Sequence, residues 1–129
     1  MMWGATVDEL LDEVGDTLRY VARYDARGYE RLYVRGDVQD RRERAAFDNA
    51  YVEARYEGEE KAYLEERLDS GRLRSTLHSF DDLLLFNFIA GPTEGLLVTT
   101  DRDADVHLGT LLARFETHGS DTPDVADVQ

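Results

Sequence analysis

The chain has no cysteine, a single lysine (Lys61), two prolines and one tryptophan among its 129 residues. The first absence excludes disulfides, thiol catalysis and thiolate metal sites. No stretch approaches the ~18 apolar residues of a membrane-spanning helix. The longest apolar run, Leu83 to Ala90, already contains Asn87. The opening Met1-Met2-Trp3-Gly4 offers neither a basic n-region nor an apolar h-region, so no signal peptide is expected. A basic stripe is missing as well. Arg41, Arg42 and Arg44 are interleaved with Asp37, Asp40, Glu43 and Asp48, the pattern of a solvated helix face rather than of a phosphate-binding one. These absences argue against nucleic acid and anionic membranes as partners and point to the cytoplasm.

What is present in excess is acid. Sixteen Asp and twelve Glu stand against fourteen Arg and Lys61, a formal net charge of −13. At molar salt the Debye length is about 3 Å, so dense surface carboxylates hardly repel one another and keep the surface hydrated. Asp with Arg and almost no Lys therefore predicts a halophilic protein. An apolar fraction of 42% is enough for a core, and the length fits one domain. That domain is expected over 1–119. Residues 120–129, with three Asp, one Pro and no aromatic group, read as a disordered acidic tail.

Hydrophobic periodicity gives the elements. Thr6 and Glu9 form a capping box, and Val7, Leu10, Leu11 and Val14 follow at i, i+3, i+4, i+7, predicting a helix from Val7 to Val14 ended by Gly15. Leu18 to Tyr24 alternates, with Leu18, Tyr20, Ala22 and Tyr24 on one face and Arg19 and Arg23 on the other. Asp25 to Gly28 is a turn, and Tyr29 to Arg35 alternates again, with Leu32 and Val34 opposite Tyr29, Arg31 and Tyr33. Asp37 is expected to cap a helical segment from Val38 to Tyr56. Gly58 interrupts it, and a second piece runs from Glu59 to Leu68. Its apolar stripe is thin, so part of it is exposed or binds something. Strands follow at Arg72 to Phe80, at Leu83 to Ala90 (apolar enough to be covered on both faces) and at Leu96 to Thr100. A last helix starts at Val106, capped by Asp105, and ends at Gly119. The fold class is α+β: helix, two strands, long helical segment, three strands, helix, around a five-stranded antiparallel sheet.

This order resembles the roadblock/dynein-light-chain and profilin-like group, over about Thr6 to Gly119. In that group a hairpin and a three-stranded meander form one sheet flanked by helices. The resemblance implies that the strand after the long helix lies at a sheet edge and that two copies pair there across a twofold, with Leu73, Thr76 and Leu77 as dimer contacts. The strand itself carries neither Pro nor Lys, two usual blocks to edge pairing. The acidic opening Val7-Asp8-Glu9-Leu10-Leu11-Asp12-Glu13 also resembles small haloarchaeal proteins, which implies a source and not an activity.

Chemical motifs are few. Asp101, Asp103 and Asp105 begin like a calcium loop, but Val106 stands where Gly is needed and Leu112 where the bidentate Glu is needed, so an acidic turn is expected and no metal. His78, His107 and His118 form no helical pair. No catalytic residue and no cofactor is expected. Tyr and Arg alternate in the first hairpin, and Tyr20, Tyr24, Tyr29, Tyr33 and Arg31 are the candidate ligand- or partner-binding residues. The reading is a non-enzymatic regulatory or scaffolding interaction module, a homodimer with an unknown protein partner. The alternative is a small-ligand sensor with Tyr20, Tyr24 and Phe86 lining a pocket under the sheet.

Overall fold

In a computed structural model, which describes residues 4–38 and 41–120, three α-helices pack on a five-stranded sheet. The elements are α1 (Gly4–Val14), β1 (Leu18–Asp25), β2 (Gly28–Val34), α2 (Arg41–Leu68), β3 (Ser75–Ser79), β4 (Leu83–Ile89), β5 (Gly95–Asp101) and α3 (Leu108–Ser120). Short 3-10 turns occupy Gly15–Thr17 and Gly36–Val38. The strand order is β2-β1-β5-β4-β3, and every neighbouring pair is antiparallel. This is the expected α+β class. The expected tail begins at the end of α3, and residues 121–129 lie outside the described residues.

The sheet is covered on both faces. Leu10 and Val14 of α1 and Leu111 and Phe115 of α3 pack on Leu18, Val21, Phe86, Phe88, Leu96 and Val98. Across the sheet, Phe47 and Ala54 of α2 pack with Val38 on Tyr20, Ala22, Tyr24 and Leu97. Phe86 and Phe88 thus face one layer while Asn87, between them, faces the other, as a strand covered on both sides requires.

Two β-bulges alter the expected faces. The β1–β5 register shifts between Leu18 and Tyr20, so Leu18 joins the core under α1 and α3, whereas Tyr20, Ala22 and Tyr24 lie under α2. The β1–β2 register shifts at Val21/Ala22, where Tyr33 pairs with Val21 but Arg31 pairs with Ala22, leaving Leu32 as the extra residue. Tyr33 therefore packs with Leu32 on the α1/α3 side, and Tyr29 and Val34 pack on the α2 side. A bulge inserts one residue into one strand and so reverses the alternation beyond it; a simple period of two cannot anticipate that.

Helix ends also differ from expectation. Thr6 is buried inside α1, which starts at Gly4, so it does not cap the helix. Gly15 ends α1 in the left-handed conformation, with φ of 59°. Asp37 lies in the 3-10 turn with its carboxylate on Arg35, and α2 begins at Arg41. At α3 the cap position belongs to His107, whose Nδ1 accepts the Thr110 amide at 3.3 Å, not to Asp105.

Gly58 does not break α2, which continues through it for 28 residues. A Cβ at Gly58 would lie 2.0 Å from the carbonyl oxygen of Pro92. The glycine is there so that α2 can approach the β4–β5 loop closely. Gly95 has a similar role: a Cβ would lie 2.6 Å from the Tyr24 hydroxyl.

Candidate interaction surface

β3 is the sheet's outer strand beyond β4, and its hydrogen bonding shows which amides are free of β4. Ile89 N donates to Arg74 O at 2.8 Å, and Phe80 N donates to Leu83 O at 2.9 Å. Arg74/Ile89 and Phe80/Leu83 are therefore hydrogen-bonded pairs of the ladder. In an antiparallel ladder such pairs alternate with non-bonded ones. Thr76/Asn87 and His78/Leu85 belong to the bonded set, while Ser75, Leu77 and Ser79 turn their amides away from β4 toward the open edge.

Large apolar side chains lie beside that edge. Leu77 is 45% exposed and Phe80 52%. On α2, Val52, Tyr56 and Tyr63 recur at i, i+4 and i+11 on the side opposite the sheet-facing Phe47, Ala54 and Gly58, and all three are exposed. Leu64 and Leu68 are exposed too, on a different side of α2.

A polar network runs from the interior to this edge. The Tyr24 hydroxyl donates to Asn87 Oδ1 at 2.7 Å, and Asn87 Nδ2 donates to Glu57 Oε1 at 2.7 Å. Thr76 Oγ1 donates to the same oxygen at 3.1 Å, and Glu57 Oε2 stands 3.2 Å from His78 Nε2. The network ties α2 to β3 and β4. Thr76 binds the carboxylate and not the imidazole, so the nucleophile-to-base contact of a hydrolytic site is not formed here.

The sequence-derived site residues do not form one surface. Tyr20 and Tyr24 are core residues; Tyr20 stacks on Phe47 with ring centroids 3.8 Å apart. Burial drives both hydroxyls' pKa well above the usual tyrosine range. Tyr29 is half-buried and its hydroxyl donates to Asp48 on α2; burial and that bond raise its pKa. Arg31 is exposed on the same side, while Tyr33 sits across the sheet. The Phe86 of the expected sensor pocket is likewise separated from Tyr20 and Tyr24 by the sheet. Of the expected dimer contacts, Leu73 precedes β3 and gives its amide to Glu65 at 2.7 Å, whereas Thr76 and Leu77 lie on opposite faces of β3. The residues not singled out from sequence are Val52, Tyr56, Tyr63 and Phe80. The signal for Val52, Tyr56 and Tyr63 is their apolar spacing on the outer side of α2; Phe80, just after β3, has no such periodic signal.

The acidic 101–105 segment is partly neutralised. Asp101 accepts from Arg35 at 2.8 and 3.0 Å and lies 3.5 Å from Arg19. The Arg35 hydrogen bonds hold its carboxyl below the usual aspartate value. Among the described residues no group of three or more His, Cys, Asp or Glu is arranged to hold a metal ion.

Comparison with known families gives a match over residues 4–120, from the start of α1 to the end of α3, to the family described as "Domain of unknown function (DUF7522)". The chain belongs to the DUF7522 family. A comparison with curated proteins finds no match. Among solved structures this DUF7522 domain is similar to Myxococcus xanthus MglB, with TM-score 0.60 and 16% identity over 98% of this chain and 95% of that one. It is also similar to the gliding protein MglB of Thermus thermophilus, with TM-score 0.55 and 17% identity over 87% of this chain and 80% of that one. A roadblock/LC7 domain from Streptomyces avermitilis gives TM-score 0.53 and 17% identity over 95% and 94% of the two chains. The DUF7522 domain thus has the roadblock/LC7 fold, with β3 at the edge as the resemblance implied. Among its described residues no helix is long and apolar enough to cross a membrane.

Proposed function

We propose that this DUF7522 chain is a non-enzymatic regulatory or scaffolding module that acts as a homodimer joined at β3, in a halophilic cytoplasm. The observation that carries the reading is the β3 edge itself: Ser75, Leu77 and Ser79 direct their amides outward beside exposed Leu77 and Phe80. An unpaired strand edge of this kind is a template for another strand, and a twofold makes the second copy a self-complementary partner. Leu73, Thr76 and Leu77 would lie at or beside the contact. The solved MglB described as having a tetrameric arrangement adds a precedent for self-association on this fold. The composition supports the salt-rich setting, because −13 on one small domain is tolerable where charge is screened. The outer stripe of α2, Val52, Tyr56 and Tyr63, offers the protein partner an aromatic surface.

Light scattering in molar KCl tests the dimer. At ~100 μM, where a micromolar dimer is well populated, the mass should be twice that of the chain. Leu77→Pro removes an outward amide without removing a bond to β4 and should give a folded monomer. Leu77→Ala, which keeps the amide, should still dimerise. A monomeric wild type refutes the dimer, and a dimeric Leu77→Pro variant moves the interface away from β3.

A further inference from the structure

A cavity of about 600 Å³ lies between α2 and the sheet, at the β3–β4 turn. Its volume is that of a small-molecule site. Buried Tyr20 and Phe47 form the floor, and Leu83 and Leu85 of β4 form a wall. Ala46 and Ala50 of α2 line the other side, and their small side chains leave the space open.

Among the described residues the charges exposed at the rim are of one sign. Glu53 of α2 and Asp81 and Asp82 of the β3–β4 turn are exposed at the mouth. Among the described residues these three carboxylates make no hydrogen bond or ion pair. Many other acids of the chain are engaged: Asp25, Asp37, Glu57, Glu65 and Asp101 all have basic or polar partners. Among the described residues the one cation lining the cavity, Arg19, is directed at Asp101. An apolar floor beneath unpaired carboxylates fits an amphipathic occupant with its positive end at the mouth. It disfavours an anion, which would meet three negative groups, and a wholly polar cation, which would leave the aromatic floor unfilled.

We propose that this cavity binds a small organic cation with an apolar body, such as an arylalkylammonium. The body would lie on the Tyr20/Phe47 stack, and the ammonium would sit among Glu53, Asp81 and Asp82. The proposal does not rest on the dimer, since every residue it uses belongs to one chain.

The test is an NMR titration of the whole protein with 2-phenylethylammonium, with phenylacetate and 2-phenylethanol as matched anion and neutral probes. The ammonium should shift the amides of Phe47, Leu83 and Leu85 with Kd of about 1 mM or tighter, and the other two should bind at least about tenfold more weakly. Glu53→Gln together with Asp82→Asn should weaken the ammonium about threefold or more while leaving 2-phenylethanol unchanged. Ala46→Trp, at an exposed position on the cavity wall, should abolish the shifts without unfolding the protein. Equal binding of all three probes would show that the cavity reads apolar surface alone. Either that result or the absence of shifts at the cavity residues overturns the proposal.

Discussion

Replacing Gly58 by alanine sets two effects against each other. Helix propensity alone favours the substitution, because Gly in a helix interior costs about 1 kcal/mol relative to Ala. The structure argues the opposite. The new methyl would stand 2.0 Å from the Pro92 carbonyl oxygen and 3.0 Å from its carbon, and the obstacle is backbone, not the tip of a flexible side chain. Relief requires α2 and the β4–β5 loop to separate, and overpacking of this kind costs about 1–3 kcal/mol. A rigid backbone obstacle belongs toward the upper end, so the net expected destabilisation is about 2 kcal/mol. For a domain of this size that is a fall in Tm of about 6–10 °C. Gly109→Ala in α3 is the matched control, since a Cβ there meets nothing within 4 Å and its φ is ordinary. It should leave Tm unchanged or raise it by a few degrees, about 1 kcal/mol at most. Thermal unfolding followed by circular dichroism in molar KCl compares the pair. If Gly58→Ala is as stable as the wild type, the close approach of α2 to Pro92 is wrong.

Two tyrosines in one core should respond oppositely to loss of their hydroxyl. Tyr24→Phe strands Asn87 Oδ1 and should cost about 1–3 kcal/mol in urea unfolding, whereas Tyr20, whose buried hydroxyl finds no partner among the described residues, should lose nothing or gain up to about 1 kcal/mol as Phe. The depressed pKa of Asp101 means that its pairing with Arg35 stabilises the fold above the ordinary value of 3.8 and is lost as pH falls through the lower folded value. Asp101→Asn should therefore lower Tm at neutral pH, with the difference from wild type shrinking as pH drops below 3.8; a difference that does not vary with pH would rule out this linkage. Lowering KCl from molar to about 10 mM lengthens the screening distance to about 30 Å, and the charge of −13 should then reduce Tm markedly. An unchanged Tm at 10 mM would remove the halophilic reading.

The α+β order was legible because each element carries its own period. Leu10 and Val14 mark the buried stripe of α1, Leu111 and Phe115 that of α3, and the nearly unbroken apolar run from Leu83 to Ala90 marks β4 as a strand covered on both faces. What local pattern could not carry was long-range geometry. Gly58 reads as a breaker in sequence, and only the proximity of Pro92, 34 positions away, turns it into a contact. The Tyr/Arg alternation of the hairpin suggested a surface, yet two bulges and the packing of α2 put Tyr20 and Tyr24 in the core and Tyr33 across the sheet. The Tyr24–Asn87–Glu57–His78 chain joins four elements and has no local signature. The thin stripe of α2 did signal an exposed side, because Val52, Tyr56 and Tyr63 hold a helical spacing that the sheet-facing residues do not use.

Residue-resolved amide hydrogen exchange along β3 tests the dimer at the atoms that would form it. Within one chain, Thr76 and His78 are bonded to β4, while Ser75, Leu77 and Ser79 face outward. Pairing of two β3 strands should protect Leu77 at the centre of the edge, and that protection should rise with protein concentration between about 1 and 100 μM. Thr76 and His78 should be protected throughout. If Ser75, Leu77 and Ser79 all exchange as free amides at ~100 μM while their neighbours stay protected, β3 is an open edge in solution and the homodimer proposed here does not form through it.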